Sequence, residues 1–178
     1  MICVGITGLI GTGKTLAADS LLNKGFVKVK MADPLKTMLR SVGLTEDEIE
    51  GSMKEKPSPL LCGVTPRHAM QTLGTEWGRQ CIGEDVWVNM WAAQAREFLN
   101  MSIGVVADDV RFANEARIIR EMGGCVVRLV RDGVERTGHL SEEMDFEVDY
   151  TILNDGSSEE LVWRLSNIVT GRITSLTS

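Results

Sequence analysis

Gly8, Gly13, Lys14 and Thr15 stand in the segment GLIGTGKT (8–15), a glycine, four intervening residues and then glycine-lysine-threonine. Glycines let a chain curl until successive backbone N–H groups point at one phosphate, and a helix beginning there adds the positive end of its dipole. In such a loop the backbone from Gly8 through Ile10, Gly11, Thr12 and Gly13 cradles the phosphates. Lys14 reaches the outer phosphates, and the Thr15 hydroxyl can ligate Mg²⁺. This chemistry needs a strand before the turn and a helix after it. The apolar run ICVGIT (2–7) and the segment LAADSLLNK (16–24) meet both needs. The spacing therefore predicts a nucleoside triphosphate site and leaves open what receives the phosphate.

Phosphoryl transfer asks a protein to position two substrates, hold Mg²⁺ and neutralise developing charge. Candidate acids stand at strand ends. Asp108-Asp109 closes the run IGVVAD (103–108), followed by Arg111. We place Asp109 toward the metal, possession of that role by Asp108 staying open, and Arg111 beside the phosphates. Asp33, in MADPLK, can orient an acceptor or a Mg²⁺-bound water, and it also suits a helix N-cap before Pro34. Lys36 follows within one turn. In TPRHAMQTLGTEWGRQCIGEDVWV (65–88), helical spacing puts Arg67, Gln71 and Thr75 on one face. Gly74 and Gly78 weaken a helix and often permit close approach, and Arg79 follows them. Arg128, Arg131 and Arg136 could close over the transferring group, with Arg131 the best placed at its strand's carboxyl end. His139, Ser141 and Glu142 show no nucleophile–base logic and receive no role. His68 reads as structural, and Trp77, Trp87 and Trp91 read as packing.

Five strand-like runs alternate with helical patterns, which implies an α/β fold with a parallel sheet. The strands are 2–7, 26–31, 103–108, 125–130 and 150–153, and the helices fall near 15–24, 34–42, 66–81, 85–99, 114–122 and 157–170. Thr45 with Glu48 forms a capping box, Thr65-Pro66 and Ser157-Ser158 start helices, and Gly123-Gly124 ends one. The span between the second and third strands exceeds what one crossover needs, so about 32–102 reads as an inserted subdomain over the sheet's carboxyl edge. The charged segment 131–149 reads as a lid. A chain of 178 residues with net charge −6 fits one domain and argues against coating nucleic acid. Cys3, Cys62, Cys81 and Cys125 lack metal-ligand spacing and read as reduced cytoplasmic thiols, with Cys3 and Cys125 inside strands. No signal sequence or membrane span is expected.

At GLIGTGKT, MADPLK, the 65–88 segment, ADDVRFANEA, HLSEE and DYTILNDGSSEEL, the sequence resembles the bacteriophage deoxynucleoside monophosphate kinases, in order from residue 2 to about 165. The resemblance implies a three-layer P-loop NTPase fold with a five-stranded parallel sheet. It implies a core of 1–31, 103–130 and 149–178, an acceptor-binding insertion of about 32–102 and a lid of about 131–148. It also implies ATP with Mg²⁺ as donor and deoxynucleoside monophosphates as acceptors, for phage DNA synthesis in the host cytoplasm. Gly8, Gly13, Lys14 and Thr15 then meet the donor phosphates, and Asn154-Asp155-Gly156 lies near the donor adenine. Asp33, Lys36, Arg67, Gln71 and Arg79 fall in the acceptor region, and Arg111 at the centre also meets the acceptor. Ala113 departs from the proline expected there. The resemblance allows a homodimer, and the TPRHAMQ and VWVNMW helices are apolar enough to form an interface. A dephospho-coenzyme A kinase is the alternative enzyme. A GTPase-type switch would carry an N-K-x-D sequence, which does not occur.

Overall fold

The computed structural model describes residues 2–134 and 145–177. Arg136, His139, Ser141, Glu142 and the HLSEE segment lie outside them. The strands β1 (Cys3–Thr7), β2 (Phe26–Lys28), β3 (Gly104–Ala107), β4 (Cys125–Val130) and β5 (Tyr150–Leu153) form one sheet in the order β2-β3-β1-β4-β5. Every pairing is parallel. β1 is buried along its whole length, as a strand covered on both faces must be.

Two helices, α1 (Lys14–Leu22) and α7 (Ser158–Thr177), cover one face. Their residues Ala17, Ala18, Leu21, Leu161, Leu165 and Val169 pack with Val4, Ile6, Val127 and Ile152. On the other face, a methyl group at Gly5 would sit 2.6 Å from Ile119 of α6 (Ala113–Glu121). Glycine at that position lets α6 approach the central strand. Gly123, with φ +76°, turns the chain out of α6, and Gly124 N–H donates to Ile119 O at 2.9 Å, so the glycine pair ends the helix as its sequence implies.

The chain divides into two compact units, residues 1–31 with 92–178, and residues 32–91. The second holds α2 (Asp33–Ser41), the short α3 (Glu46–Ile49), two single 3₁₀ turns and α4 (Pro66–Thr72). It continues as a π-helix, Leu73–Ile82, and then enters α5 (Val86–Asn100). Its own core gathers Leu39, Leu44 and Ile49 with Leu35, Leu61, Met70 and Leu73.

The last helix, α7, runs to Thr177 and so beyond its expected end near 170, and three further elements differ from their sequence patterns. The strand at 26–31 ends at Lys28, with one further bond from Val29 N–H to Val106 O at 3.0 Å, and Met31 N–H then turns to the Asp109 carboxylate at 2.8 Å. The N-cap of α2 is Ala32, which places Asp33 and Pro34 inside the first turn. The helix at 66–81 changes pitch at Leu73. There Trp87 Nε1–H donates to Gly74 O at 2.9 Å, and a methyl at Gly78 would lie 2.3 Å from that indole nitrogen. An indole seated this closely requires glycine, and the wider i→i+5 turn survives, with Gly83 N–H donating to Gly78 O at 2.9 Å. Thr75 therefore leaves the four-residue spacing that links Arg67 to Gln71.

All four cysteines are free, Cys3 and Cys125 buried, Cys62 and Cys81 exposed. Burial, reinforced by the neighbouring Cys125, pushes the Cys3 thiol far above its ordinary range, and burial pushes Cys125 up to about 11. Among the described residues, no helix is long and apolar enough to cross a membrane.

Candidate active site

The phosphate loop is built from backbone geometry. Gly8 (φ +145°) and Gly13 (φ +97°) occupy conformations that L side chains rarely adopt. A methyl at Gly8 would lie 2.4 Å from Leu129 O of β4, and one at Gly13 would lie 2.8 Å from Asn154 Nδ2. Between them, buried Thr12 donates its hydroxyl to Leu9 O at 2.8 Å and fixes the crest. Asn154 Nδ2 donates to Thr12 O at 3.0 Å, and Asn154 N–H donates to Val130 O at 2.7 Å. Asn154 thus ties the loop to the sheet beyond β5. Lys14 Nζ donates to Gly8 O at 2.7 Å and Leu9 O at 2.8 Å, which folds the ammonium across the loop. Ile10, Gly11 and Thr15 are exposed around it. Gly13 is the N-cap of α1, so the positive end of the helix dipole faces the loop.

At the end of β3 the two acids differ. Asp108 is 6% exposed; its Oδ2 lies 3.5 Å from Lys28 Nζ, and its Oδ1 has no hydrogen-bond partner. Asp109 is half-buried, and its Oδ1 accepts from Met31 N–H. Lys28 also pairs with Asp19 of α1. Burial opposes the Lys28 charge, but the Asp19 hydrogen bond and the attraction of Asp108 outweigh it and hold the ammonium above its ordinary value. The turn after Asp109 is organised by Glu115, a buried acid whose Oε2 accepts from Arg111 N–H at 2.7 Å and Phe112 N–H at 3.1 Å. Glu115 at the third helical position reaching back to the helix start is capping-box chemistry, readable in DVRFANE once α6 is taken to begin at Ala113. Arg111 itself is exposed.

Arg131 is exposed just beyond the end of β4. Arg128, within β4, donates to Phe146 O at 2.8 Å and lies 5.8 Å from that ring's centroid. Arg120 pairs with Asp149 at 3.1 Å, and Asp149 also accepts from Val126 N–H at 2.8 Å. These contacts fasten residues 146–149 to β4 and α6. Asp155 lies 3.4 Å from Arg164, and Gly156 precedes Ser157, whose Oγ accepts from Glu160 N–H at 3.3 Å and caps α7.

The remaining candidates belong to residues 32–91. Lys36 is buried and donates to Glu50 Oε1 at 2.5 Å. Arg67 and Gln71 lie one turn apart on α4, with Arg67 paired to Glu55 across exposed surface. Arg79, in the π-helix, donates to Glu84 O at 3.2 Å. Asp33 opens α2. His68 is exposed. Trp87 and Trp91 are buried, and Trp77, 5.9 Å from Trp87 between ring centroids, is the more exposed partner. The structure thus sets the donor candidates in one unit and, apart from Arg111, the acceptor candidates in the other. Lys28, Asp19 and Glu115 escaped the sequence reading. Lys28 and Asp19 interrupt no motif and meet Asp108 only after folding.

Could this site hold Mg²⁺? No group of three or more His, Cys, Asp or Glu side chains able to hold a metal occurs among the described residues. Mg²⁺ with a nucleotide does not require one, because phosphates and waters fill most of its shell. A hydroxyl at the head of α1 and a buried carboxylate oxygen lacking any donor suit that need.

A family model described as deoxynucleotide monophosphate kinase matches residues 63–165, a span that excludes the phosphate loop and so stands independently of it. A protein of Acanthamoeba polyphaga mimivirus bearing that kinase name is 30% identical over 186 residues, covering 95% of this chain and 96% of its own. The deoxynucleotide monophosphate kinase of Escherichia phage RB69 is 31% identical over 107 residues, or 58% of this chain and 44% of the phage protein. Among solved structures, TT1252 from Thermus thermophilus superposes with a TM-score of 0.55 at 19% identity, covering 96% of this chain and 97% of its own. Shikimate kinase from Aquifex aeolicus gives 0.53 at 9%, covering 97% and 99%. Dephospho-CoA kinase from Campylobacter jejuni gives 0.50 at 12%, covering 94% and 95%. At these identities the structures establish the three-layer kinase fold. The sequence relatives establish more: the chain belongs to the deoxynucleotide monophosphate kinase family.

Proposed function

We propose that this chain transfers the γ-phosphoryl group of ATP to a deoxynucleoside monophosphate, giving ADP and the deoxynucleoside diphosphate. The observation that carries the reading is the family match over 63–165, joined to a fully formed phosphate loop outside that span. An acceptor phosphate oxygen attacks Pγ in line as the bond to the leaving ADP oxygen breaks, with no covalent phosphoenzyme. The loop N–H groups and Lys14 hold the donor phosphates, and Asn154-Asp155-Gly156 borders the adenine. Arg111 and Arg131 neutralise charge on the transferring group. Bound Mg²⁺ supplies further charge neutralisation on the phosphates, held from the protein side by Thr15 and an acid at the end of β3.

Residues 32–91, as the acceptor-binding unit, contribute Asp33 to orient the acceptor and Lys36, Arg67, Gln71 and Arg79 to bind it. The exposed Arg67–Glu55 pair supports this role, since an exposed pair of this kind is worth little and yields readily to a phosphate. Residues 131–148 act as the lid. Exposed Trp77, Ile82 and Met90 in the same unit support a homodimer. The reaction serves DNA synthesis in the host cytoplasm, where the deoxynucleotides are. Turnover across deoxy- and ribonucleoside monophosphates and dephospho-coenzyme A, with ATP and Mg²⁺, tests the proposal. Deoxynucleoside monophosphates are expected to be the substrates. Phosphorylation of dephospho-coenzyme A alone would replace the reading with that of a ribose-hydroxyl kinase.

A further inference from the structure

We propose that Asp108, through Oδ1, is the carboxylate this chain turns toward nucleotide-bound Mg²⁺, and that Lys28 is the residue that positions it. The inference rests on the donor reading above and concerns which residues serve it. Asp108 is buried at the end of β3 with Oδ1 unpaired, whereas one oxygen of Asp109 is spent on the Met31 N–H. A carboxylate oxygen taken from water without a donor is costly, so it calls for a cation or an ordered water.

Lys28 satisfies only the other oxygen. Its ammonium lies 3.5 Å from Asp108 Oδ2 and pairs at the same time with Asp19 on α1. Asp19 stands one turn beyond Thr15 on the same helix face. The lysine therefore links the α1 face that carries the Thr15 hydroxyl to the strand end that carries Asp108. It anchors one carboxylate oxygen and leaves its twin to the metal. Its charge also offsets two acids that would otherwise repel each other.

Calorimetric titration of ATP into the full chain, with Mg²⁺ and then with EDTA, tests this without turnover. The readout is the ratio of the two affinities. In the wild type Mg²⁺ is expected to tighten ATP binding. Asp108→Asn should lose that gain, and Lys28→Met should cut it by about 10-fold, as removal of a partner behind a metal ligand does. The double variant should fall no further, and Lys28→Arg should restore most of the gain. Asp109→Asn should keep it, whatever else that change costs. If Lys28→Met fails to fold, Asp19→Asn should show a partial loss. A gain abolished by Asp109→Asn and kept by Asp108→Asn would overturn the assignment of the acid. A Lys28→Met protein with lowered thermal stability and an unchanged ratio would reduce Lys28 to a structural tie. A wild type that binds no ATP under either condition would instead overturn the donor reading itself.

Discussion

In residues 1–31 and 92–178 the groups aimed at phosphate are backbone N–H groups, fixed by glycine dihedrals, by Asn154 and by a lysine folded over the loop. In residues 32–91 the candidate groups are side chains, and the structure gives most of them a partner of their own: Lys36 with Glu50, Arg67 with Glu55, Arg79 with the Glu84 carbonyl. A triphosphate is the same in every enzyme that uses it, so a rigid cradle serves. An acceptor differs between enzymes, and side chains held by exchangeable contacts can be retuned without rebuilding the chain.

Substitutions on either side can break this contrast. Lys14→Ala should have the largest effect, lowering kcat roughly a hundred- to a thousandfold, the loss that follows removal of one preorganised charge donor. The thermal midpoint should change little, and near-wild-type turnover would remove the loop from the mechanism. Next come Arg67→Ala and Arg79→Ala, for which steady-state kinetics should show acceptor KM raised about ten- to a hundredfold, the worth of one charge-assisted hydrogen bond. The KM for ATP should stay near wild type; equal weakening of both substrates would dissolve the distinction between the units. Gly78→Ala sharpens it from the folding side. Its methyl meets the Trp87 indole, which should destabilise the 32–91 unit by about 1–3 kcal/mol in urea unfolding while ATP affinity persists. The smallest change is Ala113→Pro. Ala113 opens α6 behind an extended Phe112, so proline fits and should stabilise the chain by about 0.4–1 kcal/mol with unaltered kinetics.

The same contrast governs how much could be read from the sequence. β4 and β5 fall at the residues their strand-like runs mark, and β1, covered on both faces, is buried throughout. The phosphate loop was legible because its geometry is written in glycines. The π-helix was not. Gly74 and Gly78 announce a close approach but not the indole that makes it, which comes from Trp87 beyond the turn. The 46–49 helix betrayed itself only through its capping box, since four residues carry no period. Lys28, Asp19 and Asp108 come from separate elements, so neither their meeting nor the different uses of Asp108 and Asp109 could be read from spacing.

The cysteine distribution has a practical consequence. Cys3 and Cys125 are walled into the sheet with thiols held protonated, while Cys62 and Cys81 lie open to solvent within 32–91. A maleimide dye added to the native chain should therefore mark only the unit that carries Arg67 and Arg79 and leave the phosphate-loop unit dark. Cys81 sits two residues after Arg79, so the unmutated protein comes with its own attachment point for a fluorescent reporter in the unit proposed to bind the acceptor.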